Sequence, residues 1–340
     1  MNNNRIASFE WGRLLALFAV IIIHAKPFAN TPLFDEQPWL GMLLNQLGRF
    51  GVPLFFILAG YFIMPRLTSA TNDTITRYSL PLIKVWAAWS VVYLLVPFNL
   101  RIVMEKGYLA ERTGYWDFLL TNPLNTLFEG GLVHLWYIPG LLCGIVVIGL
   151  LCALKQQKLI VPVAVALYLY GLMAGSYQPI FGLESPIFTR NGPFFSTLMI
   201  AIGFEARRRN LQVATNKATA VMLFGMVLHL FEAKSLMASD VPFMNHDFLI
   251  GTPFWAAGLF FLLAAKPEFG NRPLTFMWSQ KILGLYLCHL LVIIYLMNLA
   301  GMFGFEGVLK DLTMVPLSFF ISLGLVSLIE RTPLKSVLLR

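Results

Sequence analysis

The sequence predicts an all-α, polytopic integral membrane protein of about ten transmembrane helices, with both termini in the cytoplasm. Three observations predict it. Of the 340 residues 58% are apolar and only 12% charged, the mean hydropathy is +0.71, and the basic residues fall in short breaks between apolar runs. A soluble domain carries about 25% charged residues. A globule of this length could not hide so much apolar surface, so a lipid bilayer is the solvent that the composition requires. Lipid leaves unpaired backbone groups unsolvated, which restricts spans to helices or closed barrels. The apolar runs are too long and too uniform for alternating barrel strands.

A crossing takes about 20 mostly apolar residues. Candidate runs lie near 11–29, 49–66, 79–99, 134–153, 157–177, 190–206, 217–236, 249–266, 281–300 and 312–330, of which 49–66 and 190–206 are short. No small-x-small cleavage site follows the first run, so it reads as a retained helix behind a polar lead-in, 1–7. With the N-terminus inside and ten crossings, 17 of the 25 Lys and Arg fall on the inner side, among them Arg207, Arg208, Arg209 and Arg340. Of the 17 carboxylates, 12 fall outside. Basic loops stay cytoplasmic, which sets this orientation. The net charge of +8 is thereby a topology signal and not an attraction for nucleic acid.

The longest interhelical stretch, 100–133, is expected as an external loop with Tyr115, Trp116, Phe118 and Phe128 in the interfacial aromatic belt. A second external loop, 30–48, holds Trp39. Cys143, Cys152 and Cys288 lie inside apolar runs and read as small core residues, not as a disulfide framework. Residues 1–340 are read as one transmembrane domain without an additional soluble domain.

Ionisable residues inside spans are costly and mark functional positions. The first helix carries Glu10, Arg13 and His24. At about 100° per residue, eleven steps bring His24 within about 20° of the face of Arg13 and about 16 Å along the axis. Glu10 stands three residues before Arg13 and can pair with it on that face. An imidazole that titrates near neutrality suits general-base work, and a guanidinium holds phosphate or carboxylate through paired hydrogen bonds. A structural alternative exists: Arg13 snorkels to the interface, Glu10 neutralises it, and His24 ends the helix. Further candidates for a donor or acceptor site are Arg49, His134 with Trp136, and Tyr286 with His289. His229 reads as a membrane histidine bonded to a neighbouring helix, and His246 with Asp247 as a solvated loop pair. No HExxH, Walker loop or GxSxG is present, and no Cys/His cluster has metal-ligand spacing. No metal is expected.

Glu10-x-x-Arg13 followed by ten residues and His24 is similar to the opening motif of the acyltransferase 3 family of bacterial inner-membrane proteins. Arg49-Phe50-Gly51-Val52-Pro53-Leu54-Phe55-Phe56-Ile57-Leu58-Ala59-Gly60-Tyr61 resembles its second-helix signature. His134-Leu135-Trp136-Tyr137 and Gly284-Leu285-Tyr286-Leu287-Cys288-His289 resemble two later blocks, in the family's order. The resemblance implies an acyl-CoA-dependent O-acyltransferase of the bacterial inner membrane. Its donor would be cytoplasmic acetyl-CoA, and its acceptor a hydroxyl of a surface glycan or lipid-linked glycan. It also implies His24 at the catalytic step, with Arg13 beside it in the donor path; the common helical face adds Glu10 as the residue that would orient Arg13. Glu10 stands where Asp is usual, and Ala59 where Ser is common, so a hydroxyl contact is missing. A secondary transporter or flippase of a lipid-linked glycan is the rival reading, and nothing in the sequence sets the oligomeric state.

Overall fold

The computed structural model describes residues 5–33 and 36–339, and every regular element among them is helical. Met1 to Asn4 of the polar lead-in and Arg340 among the inner cations lie outside the described residues. In order the helices are α1 (Ala7–Ala25), α2 (Trp39–Leu47), α3 (Gly51–Ser69), α4 (Thr71–Leu95), α5 (Leu100–Lys106), α6 (Tyr108–Leu120), α7 (Pro123–Glu129), α8 (Tyr137–Ala153), α9 (Ile160–Met173) and α10 (Gln178–Phe181). They continue with α11 (Pro193–Arg208), α12 (Thr215–Leu236), α13 (Gly251–Ala264), α14 (Pro273–Ser279), α15 (Ile282–Met302), α16 (Val308–Ile329) and α17 (Lys335–Leu338). A 3-10 turn, Val133–Trp136, leads into α8. Seven of the described helical segments are long and apolar enough to cross a membrane, and Gln157–Met173 and Gly251–Ala264 are shorter apolar helices. The expected segment 190–206 coincides with the 16-residue α11.

Two stretches expected as external loops are instead largely helical. Residues 39–47 form α2, and the 100–133 stretch holds α5, α6 and α7. The physical reason is local capping and burial that a hydropathy reading does not register. Asn99 caps α5 by accepting from the Ile102 amide at 3.1 Å. Glu111 accepts from the amides of Phe98 and Asn99 at 2.9 and 3.1 Å. Gly41 lies so close to the Phe28 backbone that no side chain would fit there.

The chain divides into two compact units. One comprises Met1–Val20, Gln46–Leu80 and Pro139–Gln280; the other comprises Ile21–Asn45, Pro81–Ile138 and Lys281–Arg340. In the first unit α3 packs on α11, α11 on α9, and α12 on α13. A Cβ on Gly60 would strike the Ile200 carbonyl, and one on Gly203 the Ile57 carbonyl, so α3 and α11 cross backbone to backbone. The pairing of α12 with α13 repeats the device with Gly225 against Trp255 and Gly258 against Met222. Helices in lipid gain little from the hydrophobic effect against one another, and close approach through small residues supplies the packing instead. In the second unit α15 packs on α16 and α5, and Tyr295 and Asn298 of α15 hydrogen-bond the carbonyls of Pro97 and Phe98 at 3.0 and 2.8 Å.

Candidate functional site

The second unit gathers three of the chain's five histidines. His24 ends α1, His134 sits in the 3-10 turn before α8, and His289 lies on α15 three residues after Tyr286. The His24 ring centroid lies 5.3 Å from that of His289 and 6.3 Å from that of His134, and the latter two are 5.2 Å apart. Tyr286 lies 5.5 Å from His134 and 5.7 Å from His289. His134 and His289 are fully buried, whereas His24 is half-buried. Trp136, at the end of the same turn as His134, is half-buried.

Backbone carbonyls fix the state of two rings. The Leu287 carbonyl lies 3.1 Å from His134 Nε2, and the Tyr286 carbonyl 2.6 Å from His289 Nδ1. A carbonyl only accepts, so each of those nitrogens is the N–H, and the opposite nitrogen of a neutral ring carries the lone pair. Those opposite atoms, His134 Nδ1 and His289 Nε2, are buried without a hydrogen-bond partner. The Tyr286 hydroxyl donates to the His134 carbonyl. Tyr93 of α4, which sequence reading passed over, donates its hydroxyl to the Leu287 carbonyl beside His134. A tyrosine in an apolar run reads as packing, and its one polar atom was the available signal.

Behind this cluster stands a buried ion pair. Arg112 is fully buried, donates to both carboxylate oxygens of Glu111, and donates from Nη1 to the Tyr93 carbonyl at 3.1 Å. Its guanidinium faces the rings of Phe98 and Tyr115 at 4.6 and 4.9 Å. Burial by itself would raise Glu111, but Arg112 and the two backbone amides hold it below the usual carboxylate range. Tyr115 and Trp116, expected in an interfacial belt, hydrogen-bond the carbonyls of Gly131 and Leu94 at 2.8 and 3.0 Å.

In the first unit Glu10 and Arg13 pair at 3.3 Å, as their spacing predicts. The unbroken α1 keeps the eleven-residue step to His24. Arg13 also lies over the Phe62 ring at 5.3 Å. Arg207 donates to the Tyr61 hydroxyl at 3.0 Å and faces its ring. The neighbouring Arg208 and Arg209 both bond Glu205. His229 is bonded to neighbouring helices: its Nε2 lies 2.8 Å from Gln46 Oε1 and its Nδ1 2.9 Å from Thr252 Oγ1.

Arg49 and the pair His246-Asp247 prove to be one structure. Arg49 Nη1 and Arg190 Nη1 donate to the two oxygens of Asp247 at 2.8 and 2.9 Å, and Arg49 Nη2 donates to the Met244 carbonyl at 2.8 Å. His246 is wholly buried. The expected solvated loop pair is therefore corrected for His246, which is buried, while Asp247 keeps a side-chain exposure of 34%; its two ion pairs clamp the 240–248 segment to the ends of α3 and α11, a link that a separation of 198 residues conceals. Burial, and then the charge of Arg49, push His246 from 6.5 down to about 4. Burial would raise Asp247, but Arg190 and Arg49 together hold it below its ordinary value. Both shifts have one sign. A histidine lowered in the folded state costs stability progressively as pH falls from 6.5 to about 4, and a lowered carboxylate extends the loss to more acid pH. The melting temperature of the solubilised protein is expected to fall across that window, with a shallower decline in His246→Gln. An equal slope in the two proteins would contradict the assignment.

The chain is 27% identical to a serine/alanine racemase of Enterococcus gallinarum over 85% of its own length and 40% of that protein. It is 26% identical to an amino-acid racemase of Enterococcus faecalis over 67% of its own length and 32% of that protein. The chain thus spans two fifths or less of the length of these curated relatives. No solved structure matches. A family model described as an acyltransferase domain matches residues 6–331, nearly the whole chain, in keeping with the motifs around His24 and Gly60. This multi-pass membrane chain belongs to the acyltransferase 3 family.

Proposed function

We propose that the chain is an O-acyltransferase of the bacterial inner membrane, crossing it ten times with both termini cytoplasmic. It moves an acetyl group from cytoplasmic acetyl-CoA to a hydroxyl of an extracytoplasmic or lipid-linked glycan. The observation that carries the reading is the half-buried His24 ring, 5.3 and 6.3 Å from two buried imidazoles at the end of the helix that also holds the Glu10–Arg13 pair. His24 acts as general base or as transient acyl carrier. In either case an acceptor C–O bond forms, the thioester C–S bond breaks, and the hydroxyl proton ends on the CoA thiol. Arg13, held by Glu10, grips an anionic group of the donor. Arg207 and Tyr61 offer further cationic and aromatic surface for a nucleotide phosphate and base.

The test is release of CoA thiol by the detergent-solubilised chain given acetyl-CoA. Steady release that rises when a lipid-linked glycan is added supports the proposal, and no release over background refutes it. The rival reading is a secondary transporter or flippase of a lipid-linked glycan, without acyl chemistry. That reading requires no thiol release.

A further inference from the structure

The three imidazoles are not equivalent, and their differences suggest a division of labour. This inference rests on the acyltransferase reading above. His289 is fully buried, its Nδ1–H is committed to the Tyr286 carbonyl, and its Nε2 has no partner. Buried polar atoms are nearly always satisfied, so an orphaned acceptor beside a candidate catalytic ring calls for an explanation. Burial to this degree suits a small partner, a hydroxyl or a proton, better than a thioester on its pantetheine arm. His24 is half-buried, which leaves it the ring of the three with room for the bulkier partner.

We propose that His24 carries the acyl group and that His289 Nε2 is the base that takes the proton from the incoming hydroxyl. In the first step a His24 ring nitrogen attacks the thioester carbonyl. A C–N bond forms, the C–S bond breaks, and the departing thiolate takes the proton from the other His24 nitrogen, giving acyl-imidazole and CoA thiol. In the second step the acceptor oxygen attacks the acyl-imidazole while its proton passes to His289 Nε2. The C–O bond forms, the C–N bond breaks, and His289 returns the proton to His24, so both rings end neutral. His134 Nδ1 is orphaned as well, but its ring lies 6.3 Å from that of His24, against 5.3 Å for His289, so His134 is assigned as a positioning residue. Its Nε2–H and its carbonyl tie the turn before α8 to Leu287 and Tyr286 of α15, on either side of the base.

The experiment needs only acetyl-CoA, with water as the acyl acceptor, and the full-length chain in detergent. Wild type is expected to release thiol continuously by slow hydrolysis. His289→Gln keeps a side chain of similar reach but no base, so it should release about one equivalent and then stall. The peptide containing His24 should carry an acetyl group, and steady turnover should fall by about 10²–10⁴-fold, the usual contribution of general-base catalysis. His289→Ala should regain part of its turnover when free imidazole is supplied, which a purely structural loss would not do. Continuous wild-type turnover in His289→Gln, acetyl on another residue, or absence of both burst and imidazole rescue would each overturn the assignment. If wild type releases no thiol, the acyltransferase reading fails with it; if wild type turns over and both the burst and the imidazole rescue are missing, this inference alone fails.

Discussion

His24→Ala is expected to bind acetyl-CoA with wild-type affinity and to transfer no acetyl group. The contacts proposed for the donor's anionic end are made by Arg13, paired to Glu10 at 3.3 Å, and the substitution leaves that pair intact. What it removes is a half-buried ring next to His134 and His289. Loss of a nucleophile or base costs far more in turnover than in binding, since the interaction matters in the transition state and not in the ground state. Turnover should fall at least 10²–10⁴-fold, with the dissociation constant for acetyl-CoA unchanged. Arg13→Ala should show the opposite split, weakening donor binding while leaving the histidine cluster in place. Wild-type transfer by His24→Ala would end the catalytic assignment.

Arg112→Ala is expected to be the most destabilising single substitution outside the apolar core. The guanidinium is fully buried with Glu111 as its counter-ion, and removing one partner of such a pair strands a buried charge at a cost of about 3–5 kcal/mol. It also deletes the donor to the Tyr93 carbonyl and a cation that faces two aromatic rings. Tyr93 in turn shares the Leu287 carbonyl with His134, so turnover should fall together with stability. The comparison is Arg101→Ala. Arg101 pairs with Glu105 four residues along the exposed surface of α5, with side-chain exposures of 80% and 52%, and its loss should leave the melting temperature unchanged. Equal melting temperatures for the two variants would show that the buried pair does not anchor this segment.

Some of the site was legible residue by residue. The Glu10–Arg13 pair follows from a three-residue spacing on one helix, and the helix does hold it. His134, Tyr286 and His289 were each visible as polar atoms in apolar runs, yet nothing in the sequence joins residues 134 and 289. Their meeting depends on the turn before α8 packing against α15, sealed by carbonyl bonds that any residue type could supply. Tyr93 stayed hidden for the same reason, since its partner is a main-chain atom, and Arg112 because a Glu–Arg pair in an expected loop carries no sign of burial. Asp247 shows the converse error. A polar pair in a loop looked solvated because the two arginines that bind it lie 57 and 198 residues away.

The amino-acid sequence by itself determined that the chain is helical and built for lipid, because apolar content and run length are additive properties that need no partner. It also determined the polar stripe of the first helix, because helical spacing is fixed by the backbone. Only the tertiary structure decided which polar side chains converge and which histidine nitrogens keep a bare lone pair. Those outcomes depend on contacts between distant segments and on carbonyls that carry no side-chain identity.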